Sequence, residues 1–280
     1  MVARTSARRH WAKTANRVAF YFLVVAFMVP FMFPLYWMVS SSLKTPVDII
    51  ASPPVWTFHP TLDNYVQVFR RNPFGQYIVN SFVVASGATL LGLFFGLPTA
   101  YSIARYRQKG LALAVLVARM TPGLTLLLPW FILFTRMQMI GSYWPLIVTH
   151  ATLTLPLTIW IMIGFYEDLP DEALDAALVD GCSVYGSFLR VALPLSLPGI
   201  VVSSILCFIW SWNEFLLSVV ISTTDTRTLP VAVYNFIGEF QIEWGGVMAA
   251  ATIIVLPVLL LTLLVQRHIV KGLTAGSVKG

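Results

Sequence analysis

Six stretches of this 280-residue chain, at roughly 18–39, 78–101, 111–135, 144–165, 198–222 and 245–266, are apolar for about twenty residues or more, and only Arg119 and Glu214 are charged within them. About twenty consecutive apolar residues is the length of one helical crossing of a bilayer. In lipid no water is at hand to satisfy a backbone N–H or C=O, so a run of this kind folds as a helix that pairs its own peptide groups. The remaining surface cannot rescue a soluble fold. Charged residues are 11% of the chain, against about 25% in soluble proteins. The sequence therefore predicts an all-α polytopic membrane protein with six transmembrane helices. Pro30, Pro34, Pro98, Pro122, Pro129, Pro156 and Pro257 fall inside these runs, where neighbouring helices can satisfy the groups a proline frees. Gly92 and Gly96 form a G-x-x-x-G that permits close helix approach.

The net charge of +6 matters less than where the charges lie. Arg4, Arg8, Arg9, Lys13 and Arg17 precede the first apolar run. Arg105, Arg107 and Lys109 follow the second, and Arg267, Lys271 and Lys279 follow the last. With the N-terminus inside, the cytoplasmic segments hold twelve basic residues and the opposite side five, Lys44, Arg70, Arg71, Arg136 and Arg227. Lysine and arginine excess marks the cytoplasmic side, so both termini are expected there. These clusters flank apolar runs, so they read as membrane-topology signals rather than a nucleic-acid binding patch. Val18 to Val39 is too long for the apolar part of a signal peptide and lacks a small-residue cleavage site, so it stays as a helix. Cys182 and Cys207 are too few for a disulfide framework. The organisation expected is a basic tail over 1–17, a membrane domain over 18–266 and a cytoplasmic tail over 267–280.

The cytoplasmic loop 166–197 breaks the charge pattern. It holds Glu167, Asp168, Asp171, Glu172, Asp175 and Asp180 against Arg190 alone. Pro170 opens a helical stretch with acids in its first turn, which suits the helix dipole. Gly181 closes it at a position that favours positive φ. A second helical stretch is expected from about Tyr185 to Ala192, ending before Pro194.

Within this loop the chain reads Asp175-Ala176-Ala177-x3-Gly181, nine further residues, then Val191-x-Leu193-Pro194. This resembles the E-A-A-x3-G-x9-I-x-L-P signature of ABC-importer permeases, with Asp for Glu and Val for Ile. The wider stretch is similar to the version in carbohydrate-uptake permeases. Arg119-Met120-x-Pro122 with Pro129, Trp212-Asn213-Glu214-Phe215 and the ending QRHIVKGLTAGSVKG extend the resemblance to the smaller permease of maltose-type transporters. The resemblance implies the ABC-importer permease fold. It implies a rigid cytoplasmic element gripped by an ATPase subunit, its residues being Glu172, Asp175, Ala176, Ala177, Asp180, Gly181, Ser183, Phe188, Leu193 and Pro194. It further implies tail contacts at Gly272, Gly276 and Lys279, and docking of a soluble binding protein on the external segments 41–77 and 223–243. The implied partners are a second permease in a heterodimer, two ATP-binding subunits that carry ATP and Mg, and the binding protein. The substrate is then a di- or oligosaccharide, a polyol or glycerol phosphate.

An ionisable group inside a membrane helix normally faces the bundle interior or water. Arg119, with Trp212, Asn213 and Glu214, is thus a candidate for the substrate path, the alternative being a buried network that fixes helix packing. No G-x4-G-K-[S/T] occurs and His10, His59, His150 and His268 are scattered. The chain is therefore expected to bind no cofactor or metal itself and to be no enzyme. An ion-coupled secondary transporter using Arg119 and Glu214 is the alternative function; a membrane-embedded enzyme would need a catalytic cluster.

Overall fold

The computed structural model describes the backbone of residues 2–238 and 241–275, and helices account for most of it. The chain divides into two compact units, Met1–Val68 with Phe236–Thr252, and Phe69–Asn235 with Ile253–Gly280.

The first unit opens with α1 (Val2–Ser42). None of the apolar window within its Asn16–Ser42 portion is buried inside the chain. After α1 the chain turns through α2 (Pro46–Ile50) towards α3 (Asp63–Arg71). The turn is held by buried polar groups. The Asn64 amide donates to the carbonyls of Ser42 and Lys44 at 2.9 and 2.8 Å, and the hydroxyls of Ser42 and Tyr65 meet at 2.8 Å. The Lys44 ammonium sits over the rings of Trp37 and Phe58, an arrangement in which aromatic faces replace part of its water.

The second unit is built on α4 (Phe74–Arg105) and α7 (Tyr143–Glu167), packed along each other. The close approach follows from small residues. A Cβ on Gly96 would stand 2.8 Å from Thr158 Cγ2, and one on Gly92 would stand 3.4 Å from Thr158 Oγ1. The G-x-x-x-G that permits close helix approach lies at this contact, with Gly96 the tighter of its two glycines. Between them in sequence lie α5 (Lys109–Met120) and α6 (Gly123–Arg136). Next come the short α8 (Asp171–Val179) and α9 (Val184–Ser187), a π-helical turn over Phe188–Ala192 and the one-turn α10 (Leu193–Leu195). The unit continues with α11 (Leu197–Trp212), α12 (Leu216–Ile221) and α13 (Leu229–Ala232). The last helix, α14 (Trp244–Ala275), has Trp244–Leu264 as its apolar span.

Four helices are long and apolar enough to cross a membrane, and six spans result if each of two bent pairs counts as one. The run 111–135 is not one straight helix. It bends by 85° between α5 and α6, where Thr121 and Pro122 take extended backbone and Pro122 has no N–H to continue the ladder. The run 198–222 is interrupted as well, because α11 stops at Trp212 and α12 begins only at Leu216. The second short helix of the acidic loop does not end before Pro194 but continues to Leu195 and meets α11 at 77°. A wider π turn just before the proline carries the chain through, with Leu193 N–H bonded to Phe188 C=O. At the other end α14 keeps helical backbone to Ala275, beyond the expected boundary at 266.

Candidate functional site

The acidic loop folds as an elbow of two short helices. Asp171 and Glu172 occupy the first turn of α8, where carboxylates meet the positive end of the dipole. The helix ends as its glycine predicts. Gly181 takes φ +87°, its N–H bonds to Leu178 C=O at 3.1 Å, and the Cys182 N–H bonds to Ala177 C=O at 3.0 Å. This pair of bonds is the Schellman stop. Ser183 then caps α9 by accepting from the Gly186 N–H at 3.1 Å.

One stripe of α8 faces inward. Leu174 and Ala177, three residues apart, are buried. Leu174 joins a core with Tyr101, Ile159, Met162, Tyr166 and Phe188, in which the Tyr101 ring stands 5.1 Å from Phe188 and 5.5 Å from Tyr166. The other faces carry Glu172, Asp175, Ala176, Asp180 and Gly181 in solvent, with Ser183 just beyond. At the tip Val179 is 86% exposed and Tyr185 68%. Val179 and Tyr185 are thus large apolar side chains left in solvent beside the carboxylates of α8. The residues assigned to ATPase contact thus separate into two groups. Glu172, Asp175, Ala176, Asp180, Gly181, Ser183 and Pro194 face out. Ala177 is buried, and Phe188 belongs to the core that seats the elbow, with Leu193 half-buried against it. Arg105, at the end of α4, donates to Asp171 at 2.7 Å and also to Asp175, a role beyond the topology signal that its place in the sequence carries.

The two charges within the apolar runs come together. Arg119 and Glu214 line one cavity of about 310 Å³ with Thr121, Gly123, Leu153 and Trp210. Each lies beside a helix break, Arg119 just before the α5–α6 bend and Glu214 between α11 and α12. Glu214 Oε1 accepts from the Leu217 N–H at 3.0 Å, so it serves as the cap of α12. Arg119 has no hydrogen bond or ion pair among the described residues. Asn213 is exposed beside Glu214, its amide donating to Ile209 C=O at 2.8 Å. Trp212 lies apart from this cavity, since it is buried and donates through Nε1 to Ile254 C=O at 3.1 Å. The aromatic wall is Trp210 instead.

Two residues that sequence reasoning passed over hold this region. His150 is fully buried, with its ring nitrogens 2.7 Å from Ser211 Oγ and 3.1 Å from Ser218 Oγ. Those serines flank the break that displays Asn213 and Glu214, and a lone histidine in an apolar run was the available signal. Asn80, also buried, donates to the carbonyls of Asp225 and Arg227 at 2.8 and 2.9 Å and accepts from Tyr143 OH at 2.7 Å. It ties the start of the 223–243 segment to α4. Of the tail candidates, Gly272 falls within the helical backbone of α14, while Gly276 and Lys279 lie outside the described residues.

Residues 88–275, which include both the elbow and the cavity, match the family described as "Binding-protein-dependent transport system inner membrane component". The chain belongs to this family of multi-pass inner-membrane permeases, whose subunits are not themselves catalytic. Among curated relatives, it is 36% identical over 254 residues to the sulfoquinovosyl glycerol transport system permease protein SmoH of Agrobacterium fabrum, covering 89% of each chain. It is 33% identical over 261 residues to the diacetylchitobiose uptake system permease protein DasC of Streptomyces coelicolor, covering 91% of this chain and 95% of that one. Its fold is that of a chain in the crystal structure of a bacterial ABC transporter involved in importing the acidic polysaccharide alginate. The TM-score is 0.76 at 17% identity, with 89% and 95% of the two chains covered. The expected ABC-importer permease fold is therefore the observed one. The family works with ABC subunits and a substrate-binding protein, and the ion-coupled alternative has no observation in its favour.

Proposed function

We propose that the chain is one of two permease subunits of an ATP-driven importer that moves a carbohydrate into the cytoplasm. In this reading it pairs with a different permease and with two ATP-binding subunits that hold ATP and Mg. A soluble binding protein delivers the sugar from outside. Both termini and the elbow then lie in the cytoplasm, as the distribution of lysine and arginine favours. Relatives named for the transport of sulfoquinovosyl glycerol and diacetylchitobiose support a carbohydrate.

The observation that carries the reading is the elbow itself. Its inner stripe, Leu174 and Ala177, is locked into the helix bundle, while its outer face presents Glu172, Ala176, Val179 and Asp180 to a partner. Closure of the ATP-binding subunits moves that outer face, and the buried stripe transfers the displacement to the bundle. Packed cores respond by switching between discrete arrangements rather than by bending smoothly. Arg119, Glu214 and Asn213 stand at the two helix breaks where sugar hydroxyls find hydrogen-bonding groups.

The test is uptake of labelled oligosaccharide into proteoliposomes holding the complete assembly. Uptake that needs ATP and binding protein and survives collapse of ion gradients is expected. Uptake driven by an ion gradient without ATP would overturn the proposal.

A further inference from the structure

We propose that Arg105 is the positioning residue that makes α8 and α4 move as one body, so that ATP hydrolysis is coupled to transport. The inference rests on the reading of α8 as the contact for the ATP-binding subunit. Arg105 is the last residue of α4. Its Nη1 donates to Asp171 Oδ1 at 2.7 Å and its Nη2 to Asp175 Oδ1. The two carboxylates lie one turn apart on one face of α8. A planar guanidinium that holds both fixes the rotation of α8 about its axis as well as its position. A lysine, with one compact charge, holds a point and leaves that rotation free.

The apolar side of α8 supplies a different restraint. Leu174 sits as a plug among Tyr101, Tyr166 and Phe188. A plug transmits a push and resists withdrawal through its burial, but one side chain resists rolling weakly, because dispersion contacts have little directional preference. The Arg105 fork supplies what the plug lacks. It is the only side-chain hydrogen bond or ion pair joining α4 to α8 among the described residues. At the far end of the same helix, Asn80 holds the carbonyls of Asp225 and Arg227. The twenty-five residue steps from Asn80 to Arg105 span about 37 Å at the rise of an α-helix. One helix thus ties the elbow to the 223–243 segment at the opposite end.

The pair is poorly placed to stabilise the fold. The carboxylates of Asp171 and Asp175 are 63% and 60% exposed, although Arg105 is only 21% exposed, and exposed ion pairs contribute little to stability. Its contribution is directional, and that separates a positioning role from a structural one.

The experiment compares wild type, Arg105→Ala and Arg105→Lys in the complete reconstituted importer. ATP hydrolysis, sugar uptake and co-purification of the ATP-binding subunit are measured on the same preparations. In Arg105→Ala, capture and hydrolysis stay near wild type while uptake falls about fivefold or more, the size of a typical coupling between sites. The ATP spent per sugar rises accordingly. Arg105→Lys recovers part of the loss, and Arg105→Glu combined with Asp171→Arg recovers more than either change alone. A proportional fall in hydrolysis and uptake, or an unchanged ratio, overturns the proposal. If Arg105→Ala does not assemble, Asp171→Asn decides, a raised ratio supporting the proposal and a normal one overturning it. Failure of the wild-type chain to capture an ATP-binding subunit would instead defeat the reading of α8, and this proposal with it.

Discussion

His150 Nδ1 and Ser211 Oγ stand 2.7 Å apart with both residues buried, and the opposite ring nitrogen reaches Ser218. The imidazole thereby clasps the end of α11 to α12 across the break at Asn213 and Glu214. Replacing His150 with Ala leaves two buried hydroxyls without this partner, at a cost on the order of 1–3 kcal/mol. The thermal unfolding midpoint of the purified protein should fall, and His150→Gln should recover part of it.

Gly96 lets α4 approach α7. Its substitution by Ala drives a methyl against Thr158 Cγ2 at 2.8 Å, and a β-branched side chain in a helix has little freedom to move aside. Overpacking of this kind costs about 1–3 kcal/mol. Gly164 in α7 has nothing within 4 Å of an added Cβ, so Gly164→Ala should stay within about 0.5 kcal/mol of wild type. Unfolding measurements on the two variants in the same detergent give the comparison.

Gly181 holds the elbow at φ +87°. A residue with a Cβ meets a penalty of about 1–2 kcal/mol in this region, and asparagine tolerates it best. Gly181→Val should therefore reduce recovery of the ATP-binding subunit in affinity purification, with Gly181→Asn closer to wild type. Equal recovery for all three proteins would show that the turn does not shape the contact.

Glu214 both caps α12 and lines the cavity with Arg119. Glu214→Gln keeps an oxygen for the Leu217 N–H, so assembly should persist while transport falls if the carboxylate meets the sugar. Loss of one such hydrogen bond corresponds to about a five- to tenfold drop in uptake. Asn213→Ala should act in the same direction. Normal uptake in both variants would confine the two residues to fixing the helix break.

The parts of this fold that depend on local chemistry were readable from the chain. Apolar length located the spans, acids in the first turn located α8, and Gly181 located its end. Helix breaks were less readable. Pro98, Pro156 and Pro257 sit inside continuous helices, whereas Pro122 stands at an 85° bend, so a proline in an apolar run does not by itself decide the outcome. The break after Trp212 has no proline, and Asn213 and Glu214, read first as path residues, also mark it. Contacts distant in sequence were not legible at all. Arg105 is 66 residues from Asp171 and His150 is 61 from Ser211, and nothing local announces either pairing. The inward placement of Ala177 and Phe188 was hidden for the same reason, since a motif names positions without saying which face each occupies.

The proposed contact of the elbow with an ATP-binding subunit is tested most directly by placing a photo-crosslinking residue at Val179, the most exposed apolar side chain of α8, in the assembled complex. Illumination should yield an adduct with the ATP-binding subunit, and the yield should fall when Gly181→Val is added. An adduct with the external binding protein, or none with any ATP-binding subunit, would contradict it.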